Sequence, residues 1–104
     1  MKTTARSKSG ALIRLSEERW EHIVRRHPEM ANQRERILET ISDPDLVQEG
    51  DFGELLAIKF FRDTPLSEKF LVVVYKETGE RSGLVFTAYF TSRPSRRRRV
   101  IWMR

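Results

Sequence analysis

The chain contains two histidines, and both lie in one short segment, RWEHIVRRHPEM (residues 19–30). Imidazole titrates near neutral pH, so His22 and His27 could each serve as a general acid or a general base. Arg25 and Arg26 lie between them and could hold an anion beside the imidazoles. A purely structural role is also open, because a histidine at the end of a helix often complements the helix dipole.

The sequence argues against metal and cofactor chemistry. The two histidines lack the i, i+4 spacing of a metal-binding pair on a helix. The acidic stretch from Asp43 to Glu54 does not match a calcium loop, and there is neither a glycine-rich phosphate loop nor a serine nucleophile motif. Cysteine is absent, which excludes thiolate catalysis and cysteine-based metal sites. We therefore expect a site that uses no metal and no cofactor.

Two predicted strands supply further polar side chains. Lys59 in ELLAIKFFR (54–62) shares its strand face with apolar residues, which is unusual for an ammonium group without a partner. In GLVFTAYFT (83–91), strict alternation predicts an apolar face towards the helices and an opposite face that carries three hydroxyl groups. The apolar set is Leu84, Phe86, Ala88 and Phe90, and the other set is Val85, Thr87, Tyr89 and Thr91. Any one of these residues alone could be an ordinary surface residue.

Together, these side chains fit RNA cleavage by internal transesterification. That reaction needs a base for the 2′-hydroxyl proton, an acid for the leaving 5′ oxygen, and donors or cations around the phosphate. Imidazole, ammonium, guanidinium and hydroxyl groups can fill these roles without a metal or a cysteine. The residues therefore indicate a metal-independent endoribonuclease.

The pattern of apolar residues predicts the elements that must position these side chains. Ser16 is a favourable N-cap for a helix from Glu17 to Arg26, which Pro28 ends. A second helix is predicted to start at Asn32, where Glu35 would complete a capping box. Beyond the second helix the period becomes alternating and predicts strands at 46–48, 54–62, 69–76 and 83–91, with a final edge strand at 100–103.

This order predicts an α+β fold, with two N-terminal helices packed on one face of a four- to five-stranded antiparallel β-sheet. Residues 1–11 are predicted to form a basic, flexible N-terminus, and residues 12–104 a single domain. The domain ends in an arginine-rich segment, residues 93–104, which has six arginines and no acidic residue. Such basic segments attract phosphate or acidic partners. No apolar run could span a bilayer and no secretory signal is present, so we expect a cytoplasmic protein with no membrane partner.

The order of these motifs resembles a known group of nucleases. RWEHIVRRHPEM, the helix end ETISDPDLV, the strand with Lys59, and the strands VVVYKE and GLVFTAYF are similar to the phage-type branch of the barnase–EndoU–colicin–RelE (BECR) superfamily of nuclease domains. The resemblance covers roughly residues 12–92 and implies two N-terminal helices on a four-stranded antiparallel sheet. It also implies metal-independent ribonuclease activity, often in a toxin or prophage setting.

Carried over residue by residue, the resemblance implies that His27 is the general acid or base, with His22 in a companion position. It places Lys59 at the family's strand base, and Thr87, with Tyr89 beside it, at the position of the family's hydroxyl group. We expect Lys59 and Thr87 to stabilise the phosphate, and Tyr89 to stack on a nucleobase or donate a hydrogen bond. Charge adds a set of arginines that would hold the RNA backbone: Arg25, Arg26, Arg93, Arg96, Arg97, Arg98 and Arg99.

Two other interpretations stay open. A catalytically inactive module of the same fold could bind RNA or a protein, and its RNA binding would then fall steeply with salt and survive His27→Ala. Alternatively, the arginine-rich segment could dock an acidic antitoxin or immunity protein.

Overall fold

A computed structural model describes all 104 residues of the chain. It contains seven β-strands, two α-helices and one 3₁₀ turn at Pro28–Met30. The strands and α-helices follow one another along the chain as β1 (Thr4–Arg6), β2 (Leu12–Arg14), α1 (Glu17–Arg26), α2 (Arg34–Ser42), β3 (Leu46–Glu49), β4 (Leu55–Thr64), β5 (Ser67–Gly79), β6 (Ser82–Thr91) and β7 (Val100–Met103). The fold belongs to the α+β class.

All seven strands form one sheet in the order β1-β2-β6-β5-β4-β3-β7. Neighbouring strands are antiparallel except β2 and β6, which are parallel. The predicted architecture is therefore wrong, because the sheet is mixed, has seven strands rather than four to five, and two strands precede the helices. The reason is that β1 and β2 have three residues each, too few for an alternating pattern to be recognised in the sequence.

The N-terminal residues are attached to the sheet. Residues 4–6, predicted to belong to a flexible N-terminus, form β1 and pair with β2. The hydroxyls of Ser7 and Ser9 donate to the Glu77 carboxylate at 3.3 and 2.5 Å, which fixes the turn after β1 to strand β5. These hydrogen bonds join residues that are far apart in the chain, so the local sequence does not reveal them.

Helix α1 has the bounds that the sequence predicts. The Ser16 hydroxyl accepts a hydrogen bond from the Arg19 backbone N–H at 3.2 Å, as expected for an N-cap. Pro28 disfavours the helical conformation of the residue before it, and His27 accordingly has φ −134° and ψ 79°. The His27 backbone N–H still donates to the Ile23 carbonyl at 2.7 Å, so this histidine is held at the end of the helix.

Helix α2 begins at Arg34 rather than at the predicted Asn32. Gln33 occupies the N-cap position without a side-chain hydrogen bond, so the predicted capping box with Glu35 does not form. The chain instead continues turning after α1, since the Gln33 N–H donates to the carbonyl of the buried Met30 at 2.9 Å. Neither helix has the length or the apolar character that crossing a bilayer requires.

The main core lies between the two helices and one face of the sheet. Apolar residues of both helices pack against inward-facing residues of β2, β4, β5 and β6. Burial of these side chains is the main source of stability and fixes α1 against β6. Residues with no exposed side chain in this core include Ile13, Leu15, Ile23, Ile37, Leu71, Val73 and Val85.

The opposite face of the sheet carries a second, smaller cluster of buried residues, Leu56, Ile58 and Val72. The connection from β6 to β7 passes over this face, because Ser95 within it accepts a hydrogen bond from the Gln48 side chain at 2.7 Å. Gln48 pairs with Leu56 and therefore points to the same face. Residues 92–99 thus form a crossover on this face of the sheet, and we call this segment the arginine crossover.

Strand β6 contains a β-bulge that its sequence does not predict. Val74 of β5 pairs with Thr87, whereas the next residue, Tyr75, pairs with Val85. Phe86 is therefore an extra residue on β6, and the alternation of side chains shifts by one position there.

The bulge changes which residues of β6 meet the helices. Val85 and Ala88 lie in the main core, with Phe90 packed against it. Leu84 and Phe86, predicted to face the helices, are instead 42% and 38% exposed. The predicted assignment of faces is therefore wrong for the first half of β6.

Candidate functional site

A groove lies along the part of β6 that has no neighbouring strand. Strand β2 pairs with β6 only as far as Leu84, so the residues that follow have a free backbone edge. Helix α1 lies beside this edge, and the Arg19 guanidinium donates two hydrogen bonds to the Phe86 carbonyl, at 3.1 and 2.7 Å. Arg19 therefore satisfies an edge carbonyl and holds α1 against the strand.

The groove has a volume of about 370 Å³ and combines titratable groups with permanent positive charge. Its lining includes two imidazoles, two guanidiniums, a hydroxyl and a phenol, and no carboxylate. Such a surface suits an anion, because each of these groups can donate a hydrogen bond to it. The lining residues are Arg19, His22, Arg26, His27, Phe86, Thr87 and Tyr89.

His27 lies where α1 ends and is next to Tyr89 of β6. The two ring centres are 6.1 Å apart and the ring planes are tilted by 37°. The Glu29 carboxylate, on the 3₁₀ turn, lies 3.9 Å from Nδ1 of His27, which is too long for a hydrogen bond. His27 thus has an aromatic neighbour and an anionic neighbour at the edge of the groove.

His22 has a pKa below the usual value of 6.5 for histidine. Partial desolvation is the main cause, and the positive charges of Arg19, Arg26 and Arg25 add to it, followed by the imidazole of His27. A histidine with a lowered pKa is mostly neutral at pH 7, and a neutral imidazole can accept a proton.

Lys59 lies outside the groove, on the face of the sheet that packs against the helices. It pairs with Leu71, a residue of the main core, whereas Tyr89 packs against the smaller cluster on the other face. The Lys59 ammonium donates to the Asp43 carbonyl at 2.9 Å and to the Asp43 carboxylate at 3.2 Å. Lys59, predicted to stabilise the phosphate, therefore does not line the groove with His27 and has a structural partner instead.

The Asp43 carboxylate also binds the guanidinium of Arg104. The hydrogen bonds from Arg104 and then from Lys59 hold the pKa of Asp43 below its usual value. This cluster joins the end of α2 to β4 and to the end of β7.

The structure brings five of the predicted site residues together in the groove: His22, His27, Arg26, Thr87 and Tyr89. Arg25 is exposed on α1 but does not line the groove.

The arginines of the crossover lie apart from the groove. Arg98 pairs with Asp51 at 3.2 Å, and the Arg99 guanidinium lies 3.7 Å from the Glu49 carboxylate. With Arg97, they line a second cleft of about 440 Å³ beside the turn that follows β3. Three arginines of the crossover are exposed and form no ion pair: Arg93, Arg96 and Arg97.

Two residues of the groove were not predicted, Arg19 and Phe86. Arg19 could have been found, because it lies three residues before His22 and seven before Arg26, which places all three on one helix face. Phe86 could not have been found, because the bulge that turns it towards the groove depends on the register between β5 and β6.

The described side chains offer no metal site, since no three or more His, Asp or Glu residues are grouped in a way that could hold a metal ion. Comparison of the chain with known protein families, with curated proteins and with solved structures finds no match.

Proposed function

We propose that the chain is a metal-independent endoribonuclease, which cleaves RNA by attack of a 2′-hydroxyl on the adjacent phosphorus. The observation that carries this proposal is the presence of two imidazoles and two guanidiniums in one groove without a carboxylate. Acid–base groups and cations for the phosphate are what the reaction needs. The resemblance of the histidine segment and of β6 to BECR nuclease domains supports the same reaction.

In the proposed reaction His22 takes the proton of the 2′-hydroxyl, because its lowered pKa keeps the imidazole neutral near pH 7. The 2′ oxygen forms a bond to phosphorus, and the bond from phosphorus to the 5′ oxygen breaks. His27 donates a proton to the leaving 5′ oxygen. The products are a 2′,3′-cyclic phosphate and a free 5′-hydroxyl, and no other reactant is consumed.

The other groups of the groove would stabilise the charge on the phosphate. Arg26 is exposed and has no carboxylate partner, so its guanidinium is free to bind a phosphate oxygen. The Thr87 hydroxyl and the Tyr89 phenol can each donate a hydrogen bond. The role predicted for Lys59 passes to Arg26, since the ammonium of Lys59 is bound to Asp43.

Alanine substitution of either histidine tests this proposal. We expect His27→Ala and His22→Ala each to slow cleavage of single-stranded RNA in EDTA by about 10²- to 10⁴-fold, the usual contribution of a general acid or base. Lys59→Met is the matched control, because it removes an ammonium outside the groove and should leave the rate of the folded protein unchanged. Cleavage is followed on gels, and the cyclic phosphate is identified by mass spectrometry.

Circular dichroism and thermal unfolding would show that each variant is folded. Folded wild-type protein that leaves RNA intact would contradict the proposal. So would a loss of activity in Lys59→Met as large as that in His27→Ala.

A second function, RNA binding without cleavage, is favoured by the position of Lys59. The ammonium expected in a catalytic site is bound to Asp43 and does not line the groove. For this function, the same assay would give no cyclic phosphate, while RNA binding would survive His27→Ala and fall steeply with salt.

The proposed partner is RNA. The proposed compartment is the cytoplasm, because a chain without cysteine is compatible with its reducing conditions. An acidic antitoxin or immunity protein is an alternative partner for the exposed arginines of the crossover, because opposite charges would attract there.

A further inference from the structure

Phe86 is a large apolar side chain that the fold exposes beside the two histidines. It is the extra residue of the bulge in β6, it is 38% exposed, and it lines the groove. Its backbone is fixed in place, since Arg19 donates two hydrogen bonds to its carbonyl. Bulges often turn a side chain towards a functional site, and this one turns a phenyl ring towards the groove.

The surroundings of Phe86 suit a flat ring that is attached to an anion. The exposed phenyl ring of Phe86 offers an aromatic surface in the groove. The same groove carries the guanidiniums and imidazoles of α1. A nucleotide has both complementary parts, because its base stacks on aromatic side chains and its phosphate binds guanidinium groups.

An apolar segment of a protein would match only half of this surface. It could cover Phe86, but it would leave the positive charges of Arg19 and Arg26 without an anionic partner. Duplex RNA would match the positive charges only, because its bases are already stacked on one another and are not free to stack on Phe86.

We propose that Phe86 stacks on an unpaired nucleobase and thereby positions the neighbouring phosphodiester between His22 and His27. The inference rests on the proposed ribonuclease function and names its substrate class as single-stranded RNA. Every base has a π face, so stacking on Phe86 selects unpaired RNA and tolerates different base sequences.

Binding of a short single-stranded oligonucleotide that cannot be cleaved, with 2′-O-methyl riboses, tests this proposal. It is compared with the same backbone lacking its bases. We expect Phe86→Ala to weaken binding of the complete oligonucleotide by about tenfold, as for the loss of one stacked base, and to leave binding of the abasic backbone unchanged. Phe86→Tyr keeps an aromatic ring and should retain the affinity.

Phe60→Ala is the matched control. Phe60 is also 38% exposed, but it lies on β4 and does not line the groove, so its loss should leave the affinity unchanged. Fluorescence anisotropy gives the affinities, and circular dichroism confirms that the variants are folded.

Each outcome decides between the two proposals. The stacking role would be overturned, even if RNA is cleaved, by an unchanged affinity of Phe86→Ala for the oligonucleotide or by equal losses of affinity in Phe86→Ala and Phe60→Ala. Tighter binding of the wild type to duplex RNA than to the single strand would also overturn it. If binding depends on the nucleobases and is lost in Phe86→Ala, but natural RNA is not cleaved, the result would support stacking and reject the ribonuclease. No binding by the folded wild type would reject both.

Discussion

At the scale of single residues, the groove depends on how its charges act on one another. Partial desolvation makes the protonation of His22 less favourable, and the positive charges of neighbouring arginines on α1 act in the same direction. Glu29, in contrast, lies near His27. The two imidazoles therefore have different surroundings, and the proposed reaction uses His22 as the base and His27 as the acid.

The lowered pKa of His22 predicts where activity is lost in acid. A histidine acts as a base in its neutral form, so kcat/KM falls as the pH drops through the pKa of His22 in the free enzyme. This acid limb of the pH profile should lie below pH 6.5. Arg25→Gln removes a positive charge near His22 without changing the groove lining, so the pKa of His22 should rise and the acid limb should move to higher pH. The pH profile of kcat/KM measures this.

Arg62→Gln is the control for this profile, because Arg62 is exposed on β4, away from the histidines. It should leave the acid limb where it is in the wild type. A wild-type limb above pH 6.5, or a limb that Arg25→Gln leaves in place, would contradict the assignment of His22 as the base.

At the scale of elements, the sequence predicts what is local and misses what is not. Helix α1 was predictable to the residue, because Ser16 and Pro28 act on their immediate neighbours. Strand β6 was located correctly, but its faces were not, since the bulge at Phe86 is set by pairing with β5. The short strands β1 and β2 are defined by pairing with neighbouring strands, and their three residues each are too few to show an alternating pattern.

The candidate site was predictable to a similar extent. His22, His27 and Arg26 lie on one predicted helix, and Thr87 and Tyr89 on one predicted strand, so the local pattern was sufficient for each group. The contact between α1 and β6 is tertiary and could only be assumed. Lys59 of β4 shows where such an assumption about tertiary contacts fails, because the sequence does not reveal whether its partner is Asp43 or a phosphate.

The close packing of β5 against β6 at Gly83 leads to a prediction on stability. A Cβ added at Gly83 would lie 2.3 Å from the Lys76 carbonyl oxygen and 2.9 Å from the Glu77 Cα, both backbone atoms that cannot move freely. We expect Gly83→Ala to lower the free energy of unfolding by about 1 to 3 kcal/mol or more, the usual cost of overpacking. Urea unfolding followed by circular dichroism measures this.

Gly79→Ala is the matched control in the same hairpin of β5 and β6. Its added Cβ would meet only the Ser82 hydroxyl, at 3.2 Å, and a side chain can move. Its stability should change by less than that of Gly83→Ala. Equal effects of the two substitutions would mean that close packing between β5 and β6 at Gly83 is not what requires a glycine.

At the scale of the whole molecule, the arginine crossover links two edges of the sheet. The groove lies at the free edge of β6, and the arginine-lined cleft lies beside β3 and β7. Four strand spacings from β6 to β7, at about 4.8 Å each, separate them by roughly 19 Å. A single strand of RNA with stacked bases, which rises about 3.4 Å per nucleotide, would cover this distance with about six nucleotides.

This path predicts how the salt dependence of RNA binding responds to the removal of arginines. Arg96 and Arg97 are exposed and form no ion pair, so their guanidiniums are free to displace counterions from phosphates. Arg96→Gln with Arg97→Gln should reduce the slope of log affinity against log salt by about 0.7 for each phosphate that the variant no longer neutralises. The control, Lys2→Gln with Arg6→Gln, removes the same charge near the other edge of the sheet and should change the slope less. Similar changes in both double variants would mean that net charge, and not a path along the crossover, determines the binding of RNA.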